Sequence, residues 1–93
     1  MSLNILVVDD SAVMRKIIKK ALSDSKYASA DISEAGDGAE GLEVFDPAKT
    51  DLILADWNMP NLNGLEFIKK VREIKSNKKI VIIRIITIRT NIR

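Results

Sequence analysis

The sequence predicts an α/β domain in which a parallel β-sheet carries helices on both faces. One reason is the order of the segments, because short apolar runs alternate with amphipathic runs along the 93 residues. The other reason is that the two clearest apolar runs, residues 4–8 and 52–55, contain almost no polar residue, which is typical of strands buried on both faces. The predicted order of elements is therefore β-α-β-α-β-α-β, in a single domain over residues 1–93.

The first strand and helix have the clearest boundaries. Residues 4–8 form the strand, and Ser11 is expected to cap the helix that follows. Apolar residues recur in this helix at a spacing that predicts one buried face. They are Val13, Met14, Ile17, Ile18, Ala21 and Leu22, with Arg15, Lys16, Lys19 and Lys20 on the other side.

The middle of the chain repeats this alternation. Residues 28–35 are a weaker strand candidate, and a Gly-Asp-Gly turn leads into a short helix. Residues 51–56 form the third strand, and a third helix runs from Gly64 to about Lys75. The inner face of the short helix is expected to consist of Ala39, Leu42, Val44 and Phe45.

The last apolar run, residues 80–92, is β-branched and unusually long for a strand. Placed fourth in the sheet, it would be an edge strand with exposed Ile and Val side chains. We therefore expect an aberrant long terminal strand over residues 80–93. Through this strand two copies of the chain are predicted to pair or to exchange ends, giving a homodimer.

Composition limits the possible chemistry. The chain is 46% hydrophobic and 30% charged, which is typical of a folded globular protein. It has no cysteine and no histidine, so a bound metal would need oxygen ligands, as Mg²⁺, Ca²⁺ and Mn²⁺ prefer. The apolar run before Asp9 is too short for a signal peptide or a membrane span, so a cytoplasmic protein without membrane contact is expected.

Charge is unevenly distributed: residues 69–93 hold nine basic residues and one acidic residue. A basic segment could contact nucleic acid, but this one has no aromatic residue on which a base could stack. A solvated helix face and strand end explain it better, so no nucleic-acid partner is predicted.

Three aspartates follow two of the predicted strands. Asp9 and Asp10 end the first strand, and Asp56 ends the third. Ligands of open parallel sheets bind outside the carboxyl ends of the strands, where the strand order reverses. If the two strands are neighbours, three carboxylates converge there, and a divalent cation would relieve their repulsion. A carboxylate at this place is also a plausible nucleophile toward phosphorus.

These residues resemble a known family. The segments Val7-Val8-Asp9-Asp10-Ser11, Asp56-Trp57-Asn58-Met59-Pro60 and Asn63-Gly64 closely resemble the motifs of the CheY-like receiver domains of bacterial response regulators. The resemblance implies a flavodoxin-like, doubly wound parallel sheet with strand order 2-1-3-4-5, here truncated after the fourth strand.

The resemblance also implies a function. Asp56 would be the phosphoacceptor, and Mg²⁺ would bind Asp9, Asp10, Asp56 and the main-chain carbonyl of Asn58. The phosphoryl group would come from a histidine kinase or a small-molecule phosphodonor, in signalling of the chemotaxis type. The domain would be no enzyme beyond its own phosphorylation and dephosphorylation.

The resemblance fails after about Ile83. Family members carry a Ser or Thr at the end of the fourth strand and a Lys at the end of the fifth. Here the hydroxyl position falls on Ile86, with Thr87 one residue late, and no fifth strand is predicted. The phosphorylation switch is therefore expected to be impaired.

Two other functions remain open at this point. The chain could be a dimerising interaction module that is not phosphorylated. Alternatively, residues 36–41 match the dinucleotide fingerprint G-x-G-x-x-G. Asp37 and Glu40 within that segment would repel a pyrophosphate, and this makes a dinucleotide-binding domain the weakest of the three.

Overall fold

The computed structural model describes residues 3–57, 59, 62–74 and 79–85. Within these residues, four parallel strands form one sheet with three helices, in the predicted order. The strands are β1 (Asn4–Val8), β2 (Asp31–Ala35), β3 (Leu52–Asp56) and β4 (Val81–Ile85), and the helices are α1 (Ala12–Ser23), α2 (Gly38–Val44) and α3 (Gly64–Glu73). The spatial order β2-β1-β3-β4 confirms the flavodoxin-like α/β fold.

Strand register brings the carboxyl ends of β2, β1 and β3 level. Val8 of β1 pairs with Ala35 of β2 on one side and with Ala55 of β3 on the other. Strand order reverses between β1 and β3, because the chain places β2 on one side of β1 and then returns to place β3 on the other side. The residues that follow Val8 and Ala55 therefore lie side by side at the place where open parallel sheets bind ligands.

The main hydrophobic core lies between the sheet and helices α2 and α3. Phe67 of α3 is its largest fully buried side chain. Side chains alternate between the two faces of a strand, so Leu6 and Val8 point into this core, whereas Ile5 and Val7 point to the opposite face. The cluster consists of Leu6, Val8, Ala35, Phe45, Ile53, Ala55, Met59, Phe67, Val71 and Ile80.

Helix α1 departs from the amphipathic expectation. No residue of α1 is buried, and Val13 and Ile17 are 66% and 54% exposed. Arg15 and Lys19, expected on the solvent side, both contact Glu34 of β2. The helical periodicity was correct, but ion pairs to the sheet orient the helix, and part of its apolar face stays uncovered by the described residues.

The predicted inner face of α2 is half wrong. Phe45 is buried and Leu42 packs against the core, but Ala39 and Val44 are exposed. The buried residues of α2 are glycines 38 and 41. At these two glycines the helix backbone lies directly against the backbone of Leu62 and the ring of Phe67. A pattern of hydrophobic residues does not predict such backbone contacts.

The described part of the terminal segment is short. Val81–Ile85 forms β4, which pairs with β3, and Ile80 before it is buried in the core. Residues 86–93 of the predicted strand, Ile86 and Thr87 among them, lie outside the described residues. Within the described part of the chain, each helix is too short or too polar to cross a membrane.

Candidate metal centre

Three aspartates meet at the carboxyl ends of β1 and β3. One carboxylate oxygen from each of Asp9, Asp10 and Asp56 lies within 4.8 Å of the others. Asp9 and Asp56 are 1% and 3% exposed, whereas Asp10 is open to solvent. The fold thus brings together three of the four residues predicted to bind metal. The fourth, Asn58, lies outside the described residues.

Asp9 has an electrostatic environment that suits a bound cation. Its Oδ1 accepts a hydrogen bond from the Ser11 amide at 2.9 Å, but its Oδ2 is buried without a hydrogen-bond partner among the described residues. Burial, together with the charges of Asp56 and Asp10, raises the pKa of Asp9 despite the opposing effect of the Ser11 amide. A buried carboxylate oxygen without a partner, beside two like charges, fits a divalent cation with oxygen ligands.

Local capping explains why α1 starts directly after the acidic pair. The Ser11 side chain accepts a hydrogen bond from the Met14 amide at 3.2 Å, which satisfies one of the free amides in the first turn. The Asp9 amide donates to the Ala35 carbonyl at 3.1 Å and continues the β1–β2 ladder by one residue. Asp9 is therefore held between a strand end and a helix cap.

Gly64 and Asn63 shape the segment after Asp56. A Cβ atom on Gly64 would lie 2.6 Å from the Asp56 carbonyl oxygen and 2.7 Å from the Trp57 Cα, so only glycine fits there. The Asn63 side chain caps α3 by accepting a hydrogen bond from the Glu66 amide at 3.0 Å. The Asn-Gly pair quoted from the sequence thus has a physical role: α3 starts in contact with the backbone of Asp56.

Trp57 packs beside the site. The Arg84 guanidinium lies 4.1 Å from the centre of the indole ring, within the range of a cation–π interaction. The indole Nε1 is buried without a hydrogen-bond partner among the described residues. The sequence analysis did not pair Arg84 with Trp57. The strand register explains the contact. Arg84 pairs with Ala55, and Trp57 follows Ala55 by two residues, so alternation along the strand puts Trp57 and Arg84 on the same face.

The dinucleotide fingerprint has another explanation in the structure. A Cβ atom on Gly38 would clash with the backbone of Leu62, and one on Gly41 would lie 2.9 Å from the Phe67 ring. The Asp37 side chain accepts a hydrogen bond from the Glu40 amide at 2.8 Å and so caps α2 with a negative charge. These glycines allow close packing within the chain, and a carboxylate lies where a pyrophosphate would bind.

Comparison with known proteins identifies the family. Residues 5–91 match the model of the response regulator receiver domain. The chain is 48% identical over 86 residues to chemotaxis protein CheY1 of Helicobacter pylori, an alignment that covers 91% of this chain and 68% of that protein.

Solved structures agree with this match. Chemotaxis protein CheY4 of Vibrio cholerae superposes with a TM-score of 0.69 at 37% identity, over 78% of this chain and 58% of that one. A response regulator receiver domain from Clostridium thermocellum gives a TM-score of 0.73 at 25% identity, over 88% of this chain and 64% of that one. The chain therefore spans less than two thirds of the length of these two structures.

Proposed function

The chain belongs to the response regulator receiver domain family, and on that premise we propose that it accepts a phosphoryl group on Asp56. The observation that carries the proposal is the meeting of the Asp56 carboxylate with those of Asp9 and Asp10 at the carboxyl ends of β1 and β3. The donor is a histidine kinase or a small phosphorylated molecule such as acetyl phosphate.

In the proposed reaction, a carboxylate oxygen of Asp56 attacks phosphorus, and the bond from phosphorus to the donor's leaving group breaks. The product is an acyl phosphate on Asp56, which water later hydrolyses. Mg²⁺, when bound by Asp9, Asp10, Asp56 and the Asn58 carbonyl, supplies positive charge to the phosphoryl oxygens. Asp9 would bind the cation from its buried position, and Asp10 would bind it from the solvent side.

We place this reaction in chemotaxis signalling, because several of the similar curated proteins carry that name. The domain would act as a phosphoacceptor and catalyse nothing beyond its own phosphorylation and dephosphorylation. The hydroxyl position of the family falls on Ile86, so the response to phosphorylation is proposed to be weakened even where the chemistry on Asp56 is intact.

Beryllofluoride provides the direct test, since it mimics a phosphoryl group on a carboxylate only when metal and acceptor are both in place. Trp57 is the single tryptophan and directly follows the acceptor, so its fluorescence reports the site. We expect Mg²⁺ alone to change the emission, and beryllofluoride to change it again only with Mg²⁺ present. Asp56→Asn should abolish the second change. An unaltered emission in the wild-type chain would contradict the proposal.

A second candidate function is self-association through β4. Val81 and Ile83 of this strand are 49% and 48% exposed, although parallel strands are normally covered on both faces. In the described sheet, β4 pairs with β3 alone, so its other edge can accept a strand. A second copy of the chain supplies an identical edge, and pairing of the two β4 strands is the proposed contact.

A further inference from the structure

The cluster of Asp9, Asp10 and Asp56 is called the acidic centre below. Arg15 contacts it through the main-chain carbonyl of Asp9. Its Nη1 donates a hydrogen bond of 2.6 Å to the carbonyl oxygen of Asp9, and its Nε donates one of 3.2 Å to Oε1 of Glu34. The Arg15 side chain is 20% exposed, although it was expected on the solvent side of α1. One guanidinium thus joins β2 to the turn that carries the acidic pair.

Glu34 fixes the guanidinium in place. Its other carboxylate oxygen accepts a hydrogen bond of 2.8 Å from Lys19, so two cations of α1 bind one anion of β2. Glu34 pairs with Val7 in the strand register and is therefore part of the sheet framework. Because Glu34 is held in β2, its ion pair fixes the direction in which the Nη1 of Arg15 points.

The carbonyl that Arg15 binds belongs to the peptide unit between Asp9 and Asp10. Rotation of this peptide would change the direction in which the Asp10 carboxylate points relative to that of Asp9. Asp10 is exposed to solvent, whereas Asp9 is buried. A short hydrogen bond from a charged donor is strong enough to hold a peptide in one orientation.

We propose that Arg15 is a positioning residue, which holds the Asp9–Asp10 peptide so that both carboxylates face one divalent cation beside Asp56. This inference rests on the proposed function, because it assigns a role within the same metal site. Groups that orient metal ligands from outside the ligand set typically change metal affinity by roughly 10- to 100-fold when they are removed.

The charge of Arg15 and its positioning role have opposite effects on Mg²⁺ affinity, so the variant must keep the charge. A guanidinium near a cation site repels Mg²⁺, so removing the charge of Arg15 would strengthen binding even while the geometry worsened. Arg15→Lys keeps the charge and removes the rigid fork that contacts Asp9 and Glu34 together. Glu34→Gln keeps Arg15 and removes the charge that anchors it. Because this variant also removes a negative charge, its effect on binding is compared in high salt, which screens the direct effect of that charge.

The experiment is a Mg²⁺ titration of the full chain, followed by Trp57 fluorescence. We expect Arg15→Lys to raise the Kd for Mg²⁺ roughly tenfold, and Glu34→Gln to raise it in the same direction. Arg72→Lys is the matched control, because Arg72 also donates a 2.9 Å hydrogen bond to a main-chain carbonyl, that of Ile80, before the start of β4. This control should lower the melting temperature without changing the Kd.

The outcomes separate the two proposals. If the wild-type chain binds Mg²⁺ and both Arg15→Lys and Glu34→Gln bind it with unchanged affinity, the positioning role is wrong and the metal site stands. If Arg72→Lys weakens binding as much as Arg15→Lys does, the effect is one of general stability, and the inference again fails. If the wild-type chain does not bind Mg²⁺, the proposed metal site fails as well. Should Arg15→Lys not fold, the Kd of Glu34→Gln for Mg²⁺ in high salt decides: a raised Kd there supports the positioning role, and an unchanged Kd contradicts it.

Discussion

The carboxylates of Asp9 and Asp56 lie side by side at the ends of adjacent strands, and both are almost completely buried. Two buried like charges cost free energy in a folded protein unless a cation or a proton compensates them. Neither residue belongs to the hydrophobic core cluster. The arrangement is therefore a cost to stability that a binding function explains and that packing does not.

Asp10→Asn tests this electrostatic cost. The change removes one negative charge within 4.8 Å of Asp9 and Asp56, so the metal-free protein should become more stable, by about 1 kcal/mol for each of the two pairs in a water-like dielectric. Mg²⁺ should then stabilise the variant less than the wild type, because one ligand is lost. Thermal melts with and without Mg²⁺ measure both effects.

A matched control for this variant is Asp24→Asn. Asp24 is an exposed carboxylate that pairs with Lys20 at the end of α1, far along the helix from the acidic centre. Its replacement should leave the Mg²⁺ dependence of the melting temperature unchanged. A metal-free Asp10→Asn protein no more stable than the wild type would contradict the repulsion argument.

Asp56→Asn should abolish labelling by acetyl phosphate. An amide cannot form an acyl phosphate, and neither Asp9 nor Asp10 ends the strand that meets the start of α3. The measurement is mass spectrometry of the intact chain, with hydroxylamine to show that the added group is an acyl phosphate. Labelling that persists in the variant would place the acceptor on another residue, with Asp10 the first to examine.

The order of elements and the acidic centre followed from sequence because each rests on a local pattern. Ser11 was expected to cap α1 and does so, and strands ending in Asp9 and Asp56 converge because a parallel sheet aligns carboxyl ends. The second strand starts at Asp31 and not at Ala28, since residues 25–30 form turns stabilised by the Ser25 hydroxyl.

Tertiary contacts account for what the sequence did not predict. Val13 is exposed, and Arg15 of the same helix turns inward to an ion pair with Glu34, which lies in β2. Arg84 interrupts an apolar run in the sequence, yet the fold stacks it on Trp57. Periodicity records which side chains prefer burial, but it contains no information on which distant charge a particular side chain meets.

Substitution of Gly38 tests the explanation given for the glycine-rich segment. Gly38→Ala would force a Cβ atom against the carbonyl oxygen of Leu62, and overpacking of this kind typically costs about 1–3 kcal/mol. Gly36→Ala is the matched control, because a Cβ atom there lies at an ordinary 3.6 Å from Glu40 and 3.7 Å from Arg15. Denaturant unfolding should show a loss for the first variant alone. Equal stability of both would mean that the close contact at Gly38 is absent.

Glu34→Gln should change stability in a way that depends on pH. Hydrogen bonding to Lys19, with a further contribution from Arg15, lowers the pKa of Glu34 below its ordinary value of 4.5. The folded state therefore holds the proton less tightly than the unfolded state, and the resulting stabilisation is present above pH 4.5 and is lost as the pH falls through the lowered pKa.

The measurement is the difference in the free energy of unfolding between wild type and Glu34→Gln. It should be largest near neutral pH, and should shrink both below pH 4.5 and in high salt, because the carboxylate is partly exposed. A difference that stays constant from pH 7 to pH 3 would show that the ion pairs of Glu34 do not stabilise the fold.

The last prediction concerns the edge strand β4. Ile83 is 48% exposed and lies in the middle of a strand whose described backbone pairs on one side only. Ile83→Lys places a charge on this edge without removing a buried group, so it should prevent a second β4 from pairing while the monomer stays folded. Light scattering at micromolar concentrations should give a dimer mass for the wild type and a monomer mass for the variant.

Val13→Lys is the control for this variant. Val13 is 66% exposed and lies on α1, so the same loss of apolar surface occurs there without touching a strand edge. This protein should remain a dimer, because side-chain hydrophobicity elsewhere does not supply the unpaired backbone that strand pairing requires. If Val13→Lys becomes monomeric and Ile83→Lys does not, the dimer contact involves α1. A wild-type chain that is monomeric throughout the concentration range would show that β4 alone does not hold two copies together.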